Sequence, residues 1–226
     1  MIKNMARGLA ALSLALTPLA LPHTALAAPQ APGAVVLPLA EAIKQIPVAA
    51  ESRDGYERTK FKHWNAGLDP ADGCNTRAEV LLDEAVEAPV VEAGCKLTGG
   101  RWISYYDGQV VTDAAKLDID HMVPLAEAWD SGASTWTPAR REAYANDQGA
   151  ASSLVAVMAR SNRSKADQDP AQWMPPAPEA ACRYVTEWTE DKGRWGLSAD
   201  QAEIDALSVY ADGPCEDSVV HYTPAS

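Results

Sequence analysis

Four cysteines, Cys74, Cys95, Cys182 and Cys215, constrain the fold of this 226-residue chain more than any other feature of its sequence. Their meaning depends on the compartment, and the first residues bear on that. Lys3 and Arg7 make a short positive start, Leu9 to Leu21 is an Ala/Leu-rich apolar run, and Ala25-Leu26-Ala27 is a small-x-small cleavage signal. The run is shorter than the roughly 20 residues of a membrane span, and charge or proline breaks every later apolar stretch. Residues 1–27 therefore read as a signal peptide cut after Ala27, with the mature chain secreted and free of the membrane. In an oxidising compartment an even set of cysteines reads as two disulfides. Three pairings are open. Cys74–Cys95 and Cys182–Cys215 are favoured, because each closes a short loop within its own half of the chain. Structural zinc is the rival, but the C-x-x-C spacing it favours is missing.

The remaining length suits one domain, expected over residues 39–226 after a Pro/Ala-rich, flexible lead-in at 28–38. Leu39, Ala42, Ile43 and Ile46 recur at helical spacing before Pro47, and a second helix is expected over Thr76–Glu87 with Val80, Leu81 and Leu82 inside. The character then changes. Residues 101–106 (RWISYY) are rich in β-formers, Asp107-Gly108 is a hairpin turn, and Gln109 to Thr112 answers it. Leu117 to Asp120 alternates apolar and acidic, the pattern of a half-exposed strand. Pro124 opens a helix that ends near Ser131-Gly132, and Thr137-Pro138 opens another towards Asn146. The apolar run at Leu154–Val157 reads as a strand, with a helix over Met158–Asp167. Two more helices are expected over Glu179–Trp195 and Ser198–Tyr210, the last capped by Ser198. The class is α+β, a small β element with helices packed around it.

Chemistry-bearing residues are few. The mature chain has three histidines. His221 lies near the C-terminus, His63 has no carboxylate near it in sequence, and His121 directly follows Asp118 and Asp120. On a strand those two carboxylates share one face, which requires solvation or a shared cation. Trp129, Trp173 and Trp188 have apolar helical neighbours and read as core rather than as base-stacking platforms.

Residues 117–125 (LDIDHMVPL) resemble the first motif of HNH endonucleases, and residues 154–167 (LVAVMARSNRSKAD) resemble their last, a strand leading into a helix with Asn-x-x-Lys. Further similarity to secreted HNH proteins covers Gly73–Arg77, Ser104–Gly108, Ala128–Gly132 and Asp167–Trp173. The resemblance implies a ββα-metal core at about 101–170, disulfide-stabilised and surrounded by helices. It also implies metal-dependent hydrolysis of phosphodiester bonds in DNA or RNA, with little sequence specificity. His121 would be the general base, and its ordinary pKa near 6.5 suits that. Asp120 and Asn162 would hold one divalent cation, Mg²⁺ first, with Mn²⁺ or Ca²⁺ as alternatives. Lys165, with Arg163 and Arg160, would hold phosphate. Where the family carries a middle asparagine before the second strand, this chain has Ser153. Asn146, at the end of its helix, is the candidate for orienting the histidine. Asp118 is unassigned, and Glu127 is expected on the exposed side of its helix.

Charge speaks against a nucleic-acid partner. The net charge is −12, and loss of Lys3 and Arg7 with the leader takes the mature chain to about −14. Locally the balance differs: Arg160, Arg163 and Lys165 fall together with no acid among them, Arg140 and Arg141 precede them, and the acids gather in the tail. Two rivals stand beside a monomeric nuclease. A glycosidase could use Asp118 and Asp120, but leaves Asn-Arg-Ser-Lys unexplained. A non-catalytic secreted binding protein suits the acidic charge.

Overall fold

The computed structural model describes residues 33–225. The expected signal peptide lies outside them. The expected lead-in ends early, because Val35–Pro38 forms strand β1 and runs directly into helix α1 (Leu39–Ile43). Helix α2 (Thr76–Asp83) is capped by the Asn75 side chain, which accepts from the Ala78 amide, and stops four residues before the expected end at Glu87. Two short hairpins follow, β2 (Val90–Glu92) with β3 (Lys96–Thr98) and β4 (Trp102–Ile103) with β5 (Val110–Val111), the second around the expected Asp107-Gly108 turn. Strand β6 (Leu117–His121), helix α3 (Leu125–Asp130), helix α4 (Pro138–Ala145), strand β7 (Leu154–Met158) and helix α5 (Ala159–Lys165) come next. Helices α6 (Ala181–Trp195) and α7 (Gln201–Ala211) lead to strand β8 (Val219–Tyr222), which pairs antiparallel with β1. His221 is therefore part of a paired strand. The cap of α7 is Asp200, whose carboxylate accepts from the Glu203 amide, and not the expected Ser198.

The β6–β7 pair organises the molecule. The strands run antiparallel, with Asp118 opposite Val157, Asp120 opposite Val155 and His121 opposite Leu154. Side chains alternate across the ribbon. Leu117, Ile119, Leu154 and Ala156 enter a smaller apolar cluster with Val80, Leu81, Trp102 and Val111. Val155 and Val157 face the larger cluster, which includes Tyr106, Tyr184, Val185 and Trp188. Cross-strand partners share a face, so Asp118 and Asp120 lie on that second side. There α5 packs back over β6, and Asp120 is 7 % exposed instead of half in water.

Both disulfides join the expected partners. Cys74–Cys95 ties the loop before α2 to the β2–β3 turn, and Cys182–Cys215 ties the first turn of α6 to the segment after α7. Among the described residues no helix is long and apolar enough to cross a membrane.

Candidate active site

The end of β6 opens into a cleft of about 290 Å³ lined by Asp120, His121, Asn162, Arg163, Arg58 and Asp167, among others. Four of the residues singled out in the sequence therefore meet at one place. Each is held by a different local device.

His121 is sandwiched between Trp64, with ring centroids 5.6 Å apart and planes 21° apart, and Tyr144, at 6.3 Å and 19°. Its Nε2 lies 3.0 Å from the carbonyl oxygen of Ala145. A carbonyl only accepts, so Nε2 carries the proton and Nδ1 keeps its lone pair. Burial pushes the imidazole down to about 3, with Arg58, His63 and Lys165 adding smaller repulsions against the hydrogen bond to Ala145. The ring is neutral at physiological pH. The Ala145 acceptor is available because the last carbonyls of a helix have no intrahelical donor, and α4 ends at this residue.

The Asn146 side chain makes no hydrogen bond to His121. Its side chain donates to the carbonyls of Lys62 (2.9 Å) and Glu142 (2.8 Å), and accepts from the Asn65 amide (3.0 Å) and the Thr76 hydroxyl (3.1 Å). It thus fixes the end of α4, which presents the Ala145 carbonyl, to the loop that carries Trp64. Its hold on the histidine is indirect. The Ser153 hydroxyl is likewise bound elsewhere, 3.0 Å from Asp147 and 2.9 Å from Asp191.

Asp120 takes two short hydrogen bonds on Oδ2, from the Tyr106 hydroxyl and the Lys165 ammonium, each 2.6 Å. Neither uses Oδ1. Lys165 corrects the expected phosphate contact. It is wholly buried, and its three donors go to Asp120 and the carbonyls of His121 and Met122, both at 2.8 Å. Burial lowers its pKa despite the carboxylate beside it. The Asn162 amide nitrogen donates to Asp118 Oδ2 at 3.2 Å, which turns its carbonyl oxygen away as a free acceptor and gives Asp118 an orienting task. The two aspartates therefore do not form a glycosidase pair: one is bound to a buried lysine and the other to an amide.

The expected basic footprint is only partly present. Arg163 lines the cleft, whereas Arg160 turns to Asp107 at 3.3 Å, beside a different cavity. Arg141 is buried and donates to the Lys60, Ala133 and Trp136 carbonyls. Arg140 stacks over Trp136 at 4.8 Å. Glu127 is also misjudged by its sequence, being 2 % exposed and paired to Lys192 at 2.9 Å. Trp188 is fully enclosed and Trp129 nearly so, as expected of core residues, whereas Trp173 lies outside any helix and is only half-buried.

Comparison with known proteins adds an independent line. Residues 83–208, more than half of the chain, match the family described as GmrSD restriction endonucleases, C-terminal domain. The chain belongs to this family. It is also 41 % identical over 156 residues to a protein of Arthroderma benhamiae named only as an uncharacterized secreted protein, an alignment covering 69 % of this chain and 74 % of that one. No solved structure matches.

For a GmrSD C-terminal domain the matched span begins at the end of α2 and contains β6, α3, α4, β7 and α5, so Asp120, His121 and Asn162 all lie inside it. Arg58 and Trp64 lie before it. Sequence reading missed both, since neither sits in a motif and their place depends on how the loop at 56–67 folds back over α4. The Ala145 carbonyl was equally invisible, because a backbone acceptor has no letter of its own.

Proposed function

We propose that this protein is a secreted, metal-dependent endonuclease that hydrolyses DNA or RNA through a ββα-metal site formed by β6, β7 and α5. The observation that carries the reading is the tautomer of His121: a neutral imidazole with its proton on Nε2, in the cleft that Asp120 and Asn162 also line. Membership of a restriction-endonuclease domain family supports the reaction class. The secreted relative and the two disulfides support export.

The donor chemistry fits a hard divalent cation. Asp120 Oδ1 and the Asn162 carbonyl oxygen are the free acceptors on the two elements, and both are oxygens, as Mg²⁺ prefers. Asp120 and Asn162 would hold it, and when bound the ion supplies Lewis-acid stabilisation of charge on the scissile phosphate and the departing 3′ oxygen. The protein's own residues do the rest. His121 Nδ1 takes the proton from the attacking water as the water oxygen bonds to phosphorus and the bond to the 3′ oxygen breaks. The Ala145 carbonyl holds the ring and stabilises the imidazolium that forms. Arg163 and Arg58 offer guanidinium groups to the non-bridging oxygens. Lys165 keeps Asp120 aligned from behind. Two cleft arginines against a chain of net charge −12 imply weak binding that falls steeply with salt.

Nicking of supercoiled plasmid by purified protein, with and without EDTA, tests the activity. His121→Ala should lose about 10²–10⁴-fold in rate with Mg²⁺ present. Chelator-insensitive cleavage, or a His121→Ala rate within tenfold of the parent, would overturn the assignment.

A further inference from the structure

Sharing no residue with the cleft, acidic side chains from four stretches of chain converge. Oxygens of Glu51, Glu127 and Asp130 lie within 4.8 Å of one another, and those of Glu51, Asp169 and Asp200 do the same. We propose that these five residues form a second divalent-cation site, structural in purpose and suited to Ca²⁺. It would tie the segment after α1 to α3, to the turn after α5 and to the start of α7.

Clustered acids alone would not establish this. The second observation is two orphaned oxygens. The Asp130 side chain is only 6 % exposed, and its Oδ1 is sealed from solvent with no hydrogen-bond partner among the described residues. Glu51 Oε1 is sealed and unpartnered in the same way. A buried carboxylate oxygen without a donor bears its full desolvation cost.

The neighbouring cations cannot make up the deficit. Lys192 lies 2.9 Å from Glu127 and 2.8 Å from Glu203, and its remaining donor capacity goes to the Ser131 hydroxyl and the Ser198 carbonyl. Arg53 reaches Asp130 Oδ2 at 2.6 Å and then turns to Asp167. Seven carboxylates, counting Glu203 and Asp167, thus share two cations. Glu127 and Asp200 add repulsion to the burial of the Glu51 carboxylate. An all-oxygen, carboxylate-rich set drawn from irregular segments suits Ca²⁺, which accepts six to eight oxygens in flexible geometry. Extracellular modules bind it with Kd of about 10⁻⁴–10⁻³ M.

The test is titration of CaCl₂ into the EDTA-treated, dialysed mature protein at pH 7.5, read by calorimetry and by thermal unfolding. At tenfold excess over Kd, Ca²⁺ should raise the parent Tm by about 3–6 °C. Glu51→Gln breaks no hydrogen bond among the described residues. In EDTA it should match or exceed the parent Tm, because it relieves repulsion. With Ca²⁺ the order should reverse, with affinity lowered at least about tenfold. Asp200→Asn guards against a folding artefact, since asparagine caps α7 as well as aspartate does, and it should weaken binding several-fold. The cleft residues are identical in all three proteins, so the difference between them reports on this site alone. A parent Tm indifferent to Ca²⁺, or equal Ca²⁺ shifts in parent and Glu51→Gln, would overturn the proposal.

Discussion

Replacing Lys165 by Met separates a buried structural cation from a phosphate ligand. Lys165 is fully enclosed, with Tyr106, Trp188 and Tyr184 around its ammonium at 5.4, 5.7 and 5.9 Å from the ring centroids. Met occupies nearly the same volume among those rings, so little cavity opens. What is lost is the charge that compensates Asp120, together with the donors to the His121 and Met122 carbonyls. Breaking a buried pair from one side costs about 3–5 kcal/mol. For a domain of this size that lowers Tm by about 6–20 °C. Urea unfolding followed by tryptophan fluorescence, in EDTA, measures it. The double variant Asp120→Asn/Lys165→Met supplies the internal control. With both charges gone it should be more stable than the sum of the single losses by at least about 2 kcal/mol. A Lys165→Met protein within about 1 kcal/mol of the parent, with its defect confined to a higher KM for DNA, would refute the structural account and restore the phosphate contact.

Two further outcomes follow from the same structure. In metal-free protein the His121 Cε1 proton resonance should keep its neutral-form shift from pH 8 to pH 5, and a midpoint near 6.5 would contradict its burial. Because the folded value lies below the unfolded one, the contribution of His121 to stability is complete above pH 6.5 and is lost as pH falls towards 3. Cys182→Ser/Cys215→Ser opens a bridge between residues 33 apart and should cost roughly 3–4 kcal/mol in urea unfolding, whereas a loss below about 1 kcal/mol would show that the reduced chain is already restrained there.

Elements with a strong local signal were legible in the sequence. Pro124, the Thr137-Pro138 pair and the apolar run at 154–157 each mark a boundary by short-range chemistry, and α3, α4 and β7 begin where those signals stand. The β1–β8 ribbon was not legible, because its strands come from opposite ends of the chain and neither alternates clearly. Asp120 was placed in the right strand but in the wrong environment. Periodicity reports which face a residue takes, and only the packing of α5 determines that this face is covered. Glu127 and Lys165 failed for one reason. A charged residue on a short helix reads as solvated unless its partner is known, and the partners, Lys192 and Asp120, lie 65 and 45 residues away.

The acceptor that sets the His121 tautomer belongs to a peptide unit, and this changes which kinds of mutation the site can absorb. No point substitution at residue 145 deletes a carbonyl. The side chain there can drift within the limits of packing while the histidine keeps its orientation. Length is another matter. Each residue turns an α-helix by about 100°, so inserting or removing one residue within α4 would swing the terminal carbonyl off the ring and bring another group to Nε2. The site is therefore guarded at this point by a count of residues between Pro138 and Asn146, and a lineage that keeps the count can lose every letter of a recognisable middle motif.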